Sequence, residues 1–108
     1  MEKPLILTDV NFKKEVLESK EPVLVDFWAS WCPPCKMVEP MLEELSRQYG
    51  EKIKITRMNV DQNPASASIY QITGVPTFII FKFSEIVGRR TGAQSMEQIE
   101  EMIREAVG

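Results

Sequence analysis

The chain has 108 residues, 44% hydrophobic and 27% charged, with a formal net charge of -3. This size suits one domain over 1–108 whose core needs neither metal nor disulfide to hold it. There is no long apolar run to span a membrane and no basic footprint for nucleic acid, and the absence of histidine removes Cys-His and Ser-His catalytic groups and Cys2His2 zinc sites from a single chain.

The amino-terminal stretch MEKPLILTDVNF carries one lysine and an apolar segment too short for the core of a secretory signal, and Asp9 interrupts it. The expectation is a cytoplasmic protein. LIL at 5–7 suits a short edge strand, and Thr8 and Asp9 offer a cap for a helix over 10–19 with Phe12, Val16 and Leu17 on one face. VLVDFW at 23–28 is a near-continuous apolar run of strand length, as expected of a strand buried on both faces, and Asp26 is the anomaly inside it.

After the cysteines, Val38, Met41, Leu42, Leu45 and Tyr49 recur at amphipathic-helix spacing, with Gly50 at the position of a carboxyl-terminal cap and Pro40 placed to kink the helix. KIKITRMNV alternates Ile53, Ile55 and Arg57 against Lys52, Lys54 and Thr56, which predicts a strand over 52–60. Asn63 as cap and Pro64 at the first helical position predict a short helix next. VPTFIIFKF and EIVGRRTG suit an antiparallel hairpin, and Met96, Ile99, Met102, Ile103 and Val107 mark a closing helix. Strands and helices that alternate and end in a hairpin imply an α/β fold, a central mixed sheet flanked by helices on both faces. Its sites gather outside the carboxyl ends of strands, where WCPPC falls.

Cys32 and Cys35 are the only cysteines. As a structural bridge they would close too short a loop to constrain the unfolded chain much. As half of a tetrahedral zinc site they lack a second pair, so a metal would need another chain or carboxylates. As a reactive pair they have a direct physical basis. Cys32 at a helix start faces free N–H groups and the positive dipole end, which favours thiolate, and Cys35 one turn on can attack a mixed disulfide formed on Cys32. Pro34 has no N–H, leaving the Cys35 amide as the main donor, and Pro33 holds Cys32 away from helical dihedrals. The thiol should therefore be activated moderately. Asp26, if buried, either takes a raised pKa suited to accepting a proton or pairs with Arg57 inside the sheet. Trp28 and Trp31 have core packing as their plain reading, with Trp31, in the turn, the one expected at the surface.

VDFWASWCPPCK, NVDQNP and GVPTFIIFK, in this order, resemble the thioredoxin family over essentially the whole chain. The resemblance implies the thioredoxin fold and a dithiol-disulfide oxidoreductase. It implies Cys32 as attacking thiolate, Cys35 as buried resolving thiol and Asp26 as proton carrier for Cys35, with Pro76 as a cis-proline facing the disulfide. Val75 would offer its backbone to an extended substrate segment, with Trp31, Gly74, Gly92 and Ala93 completing a flat, largely apolar contact surface around Pro33 and Pro34.

Three departures stand out. Pro33 replaces the family's usual glycine, as in tryparedoxin-like and nucleoredoxin-like relatives, and the potential in this family is sensitive to the two residues between the cysteines. Arg57 stands where lysine is typical, so its interaction with Asp26 reduces to electrostatics. KFSEIV lacks the Asn-Gly turn. No Gly-rich nucleotide fingerprint is present, so the expected cofactor is none beyond the cysteine pair itself, and a separate thioredoxin reductase would recharge the protein. The leading expectation is a monomeric general reductase of protein disulfides. The rivals are a dedicated carrier, an oxidant or isomerase, and a non-catalytic binding scaffold.

Overall fold

The computed structural model describes residues 3–108; Met1 and Glu2 of the amino-terminal stretch lie outside the described residues. In chain order the elements are β1 (Leu5–Leu7), a π-helical turn (Lys13–Leu17), β2 (Val23–Trp28), α1 (Pro33–Lys36), α2 (Val38–Tyr49), β3 (Lys54–Asn59), α3 (Pro64–Ile69), β4 (Thr77–Lys82), β5 (Glu85–Thr91) and α4 (Met96–Val107). The sheet order is β1-β3-β2-β4-β5, with β1 and β2 parallel to β3 and with β4 antiparallel to β2 and β5. This is the mixed sheet expected.

Period-two alternation along the inner strands sorts their side chains into two cores. Leu24, Ile55, Phe78 and Ile80 meet Leu42 and Leu45 of α2 and Ile99 and Ile103 of α4. Val23, Val25, Phe27, Met58, Ile79 and Phe81 meet Phe12, Val16 and the half-buried Tyr70 on the opposite side. There Phe12, Tyr70 and Phe81 pack as an aromatic triangle with ring centroids 5.2 to 5.6 Å apart. By the same alternation Asp26 shares the face of Leu24, under α2, and the parallel register sets it beside Arg57 of β3. The alternation expected along 52–60 fails at Thr56, which is fully buried and donates Oγ1 to Leu24 O at 2.8 Å. β3 lies inside the sheet rather than at its rim.

Several local expectations are corrected. The helix expected over 10–19 is a π-helical turn, with Glu18 N donating to Lys13 O at 2.9 Å, and its wider coil still turns Phe12 and Val16 into the core. Thr8 and Asn11 satisfy each other's amides there at 2.7 and 3.2 Å. Asp9 instead caps a distant helix, accepting from the amides of Ala65 and Ser66 at 3.2 and 2.9 Å. Asn63 stands at the cap position of α3, but its side chain accepts from Asp9 N at 2.9 Å and donates to Asn59 O at 2.9 Å.

Pro40 acts one turn upstream of itself. It has no N–H for the Lys36 carbonyl and its ring crowds that group, and the helix breaks at Met37 between α1 and α2. The hairpin turn is made by Phe83 and Ser84, both left-handed at φ 52° and 71°, the pattern that matches strand twist without Asn-Gly. Ser84 Oγ anchors it by donating to Leu17 O at 2.6 Å. Ser95 and Gln98 form a reciprocal capping box that starts α4.

Hydrogen bonding by the Ser66 hydroxyl, reinforced by the Ser66 and Ala65 amides, holds the Asp9 carboxyl below its ordinary pKa. Asp9→Ala removes both acceptors and is expected to lower unfolding stability by about 1 kcal/mol, read from urea midpoints at neutral pH. An unchanged midpoint would show that the cap contributes nothing.

Candidate active site

β2 ends at Trp28 and the chain turns through Ala29, Ser30 and Trp31 to Cys32, the N-cap of α1. Cys32 is extended at φ -95° and ψ 108°, the conformation a following proline requires. Pro33 and Pro34 fill the first two helical positions, and the Cys35 amide donates to Cys32 Sγ at 3.3 Å. Cys32 and Cys35 form a disulfide with a Cα–Cα distance of 5.3 Å. Cys32 is 3% exposed and Cys35 0%, so only the first sulfur's residue reaches the surface.

The loop before β4 lies against this pair. Cys32 Sγ is 3.7 Å from Val75 O, and the Val75–Pro76 peptide is cis. Pro76 is buried, its carbonyl accepts from Gly92 N at 2.7 Å, and Thr77 Oγ1 donates to Gly74 O at 2.6 Å. Gly92 has φ +95°, and a Cβ built on it would point into open space, so glycine serves the backbone conformation there. Ala93 beside it is exposed. Trp31 is 68% exposed and donates its indole N–H to Asp61 at 2.9 Å, which holds the ring at the surface. Pro33 and Pro34 are exposed as well. The structure thus brings together Cys32, Cys35 and Val75, with Trp28 packed against them. Pro40 enters through the helix break.

Beneath the cysteines lies a buried charge pair. Asp26 is fully buried; its Oδ2 accepts from Arg57 Nε at 2.7 Å, and its Oδ1 has no hydrogen-bond partner. Asp26 is both paired with Arg57 and raised in pKa. Burial pushes its pKa up to about 6, and the Arg57 charge and hydrogen bond oppose that rise without cancelling it. Arg57 also donates Nη2 to Cys35 O at 3.0 Å and Nη1 to Glu39 at 3.4 Å, and its Cζ lies 4.7 Å from the Trp28 ring centroid. One guanidinium thus joins the carboxylate to the backbone of the buried cysteine. Glu39 and Asp61 were missed in the sequence. Glu39 falls one helical turn after Cys35, a spacing that could have pointed to it; nothing local marks Asp61.

Among the described residues, no group of three or more His, Cys, Asp and Glu could hold a metal ion, and no helix is long and apolar enough to cross a membrane. The family model named Thioredoxin matches residues 3–105. The chain is 46% identical over 107 residues to the thioredoxin of Buchnera aphidicola subsp. Schizaphis graminum, covering 99% of each chain. It is 42% identical over 101 residues to the thioredoxin of Rickettsia typhi, covering 94% of this chain and 96% of that one. It is 51% identical over 87 residues to thioredoxin 1 of Synechococcus elongatus, covering 81% of each.

The raised pKa of Asp26 makes stability depend on pH with a definite sign. Between its ordinary value of 3.8 and about 6 the folded protein keeps a proton that the unfolded chain has released, so stability falls as pH rises through that window. The loss is complete above the folded value and amounts to about 3 kcal/mol. Asp26→Asn has no such titration. From pH 4 to pH 7 the wild type is expected to lose about 2 kcal/mol of this relative to the variant in parallel denaturation series, the remainder falling below pH 4; curves that stay parallel would contradict the assignment.

Proposed function

We propose that this chain, which belongs to the thioredoxin family, works as a general reductant of protein disulfides. The protein is a thiol-disulfide oxidoreductase. One observation carries the direction of electron flow: among the described residues the Cys35 amide is the single backbone N–H donating to Cys32 Sγ, and Pro34 has none. Thiolate stabilisation favours the reduced form and makes a pair oxidising. With few donors, the dithiol gives up its electrons readily.

In the reaction, the Cys32 thiolate attacks one sulfur of a substrate disulfide. A bond forms to that sulfur, and the other leaves as a thiolate that takes a proton from solvent. The Cys35 thiol passes its proton, by way of water, to the Asp26 carboxylate, and the Cys35 thiolate then attacks Cys32. The Cys32–Cys35 bond forms as the mixed disulfide breaks, and the second substrate sulfur leaves to be protonated in turn. Two electrons pass from the pair to the substrate, which becomes a dithiol. A pKa near 6 suits Asp26 to this, since an acceptor works best when its affinity for the proton lies close to the working pH.

Substrate segments are bound in extended form by the Val75 backbone, whose carbonyl is 3.7 Å from Cys32 Sγ. The exposed Trp31, Pro33, Pro34 and Ala93, with the half-buried Gly74 and Gly92 and with Pro76 buried beneath them, offer an apolar surface with little side-chain bulk. Partners are protein disulfides and a separate reductase that returns the pair to the dithiol. The protein acts as a single-domain monomer in the cytoplasm, with the cysteine pair as its own electron carrier and no bound cofactor.

Cys35→Ser removes the resolving thiol and is expected to leave partners disulfide-linked to Cys32, released by dithiothreitol and absent from Cys32→Ser. Reductase activity should fall to background in both variants. Full activity in Cys32→Ser would leave only the scaffold reading.

A further inference from the structure

Arg57 is almost completely buried, and besides Asp26 it serves a second carboxylate that the reaction as written does not use. Glu39 comes from the first turn of α2, just past the break at Met37, and its side chain is 51% exposed. It stands at a cleft of about 410 Å3 lined by Lys36, Arg57, Trp28 and Cys35. Asp26 does not line that cleft; the guanidinium lies between them, with Nε turned inward at 2.7 Å from Asp26 and Nη1 outward at 3.4 Å from Glu39. Among the described residues, Lys36 of α1 and Lys3, ahead of β1, are the other charged groups lining the cleft. From β4, the register partner of Asp26 is the apolar Phe78.

We infer that Glu39 is a positioning residue for disulfide exchange: by engaging the outer nitrogen of Arg57 it divides the guanidinium's charge between two carboxylates, so that Asp26 remains able to accept the Cys35 proton. The inference rests on the proposed proton transfer to Asp26. The physical basis is the rigidity of the arginine fork, which presents separate donors in fixed directions and keeps its charge throughout. An arginine with Asp26 as its one carboxylate partner would hold that group more firmly ionised and make it a poorer base. The longer Glu39–Arg57 contact, partly in solvent, weakens the inner pair without dissolving it. Glu39 also tethers α2 to the sheet through the same cation that holds Cys35 O, so the helix break does not loosen the cysteine above it.

The test is a carboxyl titration of Asp26 by carbon NMR in the oxidised full-length protein, for wild type, Glu39→Gln and Glu39→Lys. The Gln variant is isosteric at a half-exposed site and should fold. Its Asp26 midpoint is expected about half a pH unit lower, roughly a threefold change in the ratio of ionised to protonated carboxyl. The Lys variant should move it further in the same direction. A midpoint that stays put, or rises, in both variants overturns the inference.

Resolution kinetics, followed as the pH dependence of single-turnover oxidation of the dithiol, supply the second readout. Glu39→Gln should slow resolution roughly twofold near neutral pH, as expected for a base weakened to that extent, and the effect should vanish in an Asp26→Asn background. An equal slowing in that background would mean that Glu39 does not act through Asp26. If instead Asp26→Asn alone leaves the rate profile unchanged while the NMR midpoint still moves with Glu39, the proton-acceptor reading fails and the charge division stands without a catalytic use.

Discussion

Asp26 and Arg57 lie side by side on adjacent parallel strands, both shut from water, and each offsets the cost of burying the other. An ionised carboxylate with one unpartnered oxygen in this setting is costly, and an unpaired guanidinium more so. The parallel register of β2 and β3 makes the pairing unavoidable, because it places the two residues opposite each other on the face covered by α2. The remaining nitrogens of Arg57 then reach Cys35 O and Glu39, and its planar group sits over Trp28. Sheet, helix start and disulfide are fastened through one cation.

The magnitude of that constraint explains why it is tolerated. Holding Asp26 ionised above its folded pKa costs about 3 kcal/mol, comparable to what one fully buried leucine or isoleucine supplies. Two apolar layers, one on each side of the sheet, offset it easily. The chemistry needs the site to be poised in two respects. In the proposed mechanism the cysteine at the surface ionises without being over-stabilised, since Pro34 offers no N–H and the Cys35 amide donates to its sulfur, and the buried cysteine has beside it a base that is neither fully charged nor inert. Both follow from withheld hydrogen bonds.

Much of this was legible from residue order alone. The unbroken apolar run of β2 marked a central strand, and a lone aspartate inside it was conspicuous because burial penalises its charge. C-x-x-C between that strand and a helix start, with prolines inside, pointed to both the sulfur chemistry and the one remaining donor. Other features depended on distance in the chain. Asp9 has the pattern of a local cap, yet it caps α3, and only the folded sheet brings those segments together. Phe83 and Ser84 form a left-handed turn that neither residue type favours, because strand pairing on both sides imposes it. Pro40 announced a kink, but its effect falls at the carbonyl one turn upstream. Glu39, one helical turn after Cys35, carried only that spacing as a signal, and its partner Arg57 comes from a distant strand.

The central claim, that Pro33 and Pro34 leave a reducing pair, is tested most directly by the reduction potential of the Cys32–Cys35 couple. Equilibration in dithiothreitol or glutathione buffers, followed by the fluorescence of Trp28 and Trp31, would measure it. A reducing pair should give about -270 mV, the figure characteristic of thioredoxin. A value of about -180 to -120 mV, the range of isomerases and oxidants, would contradict it.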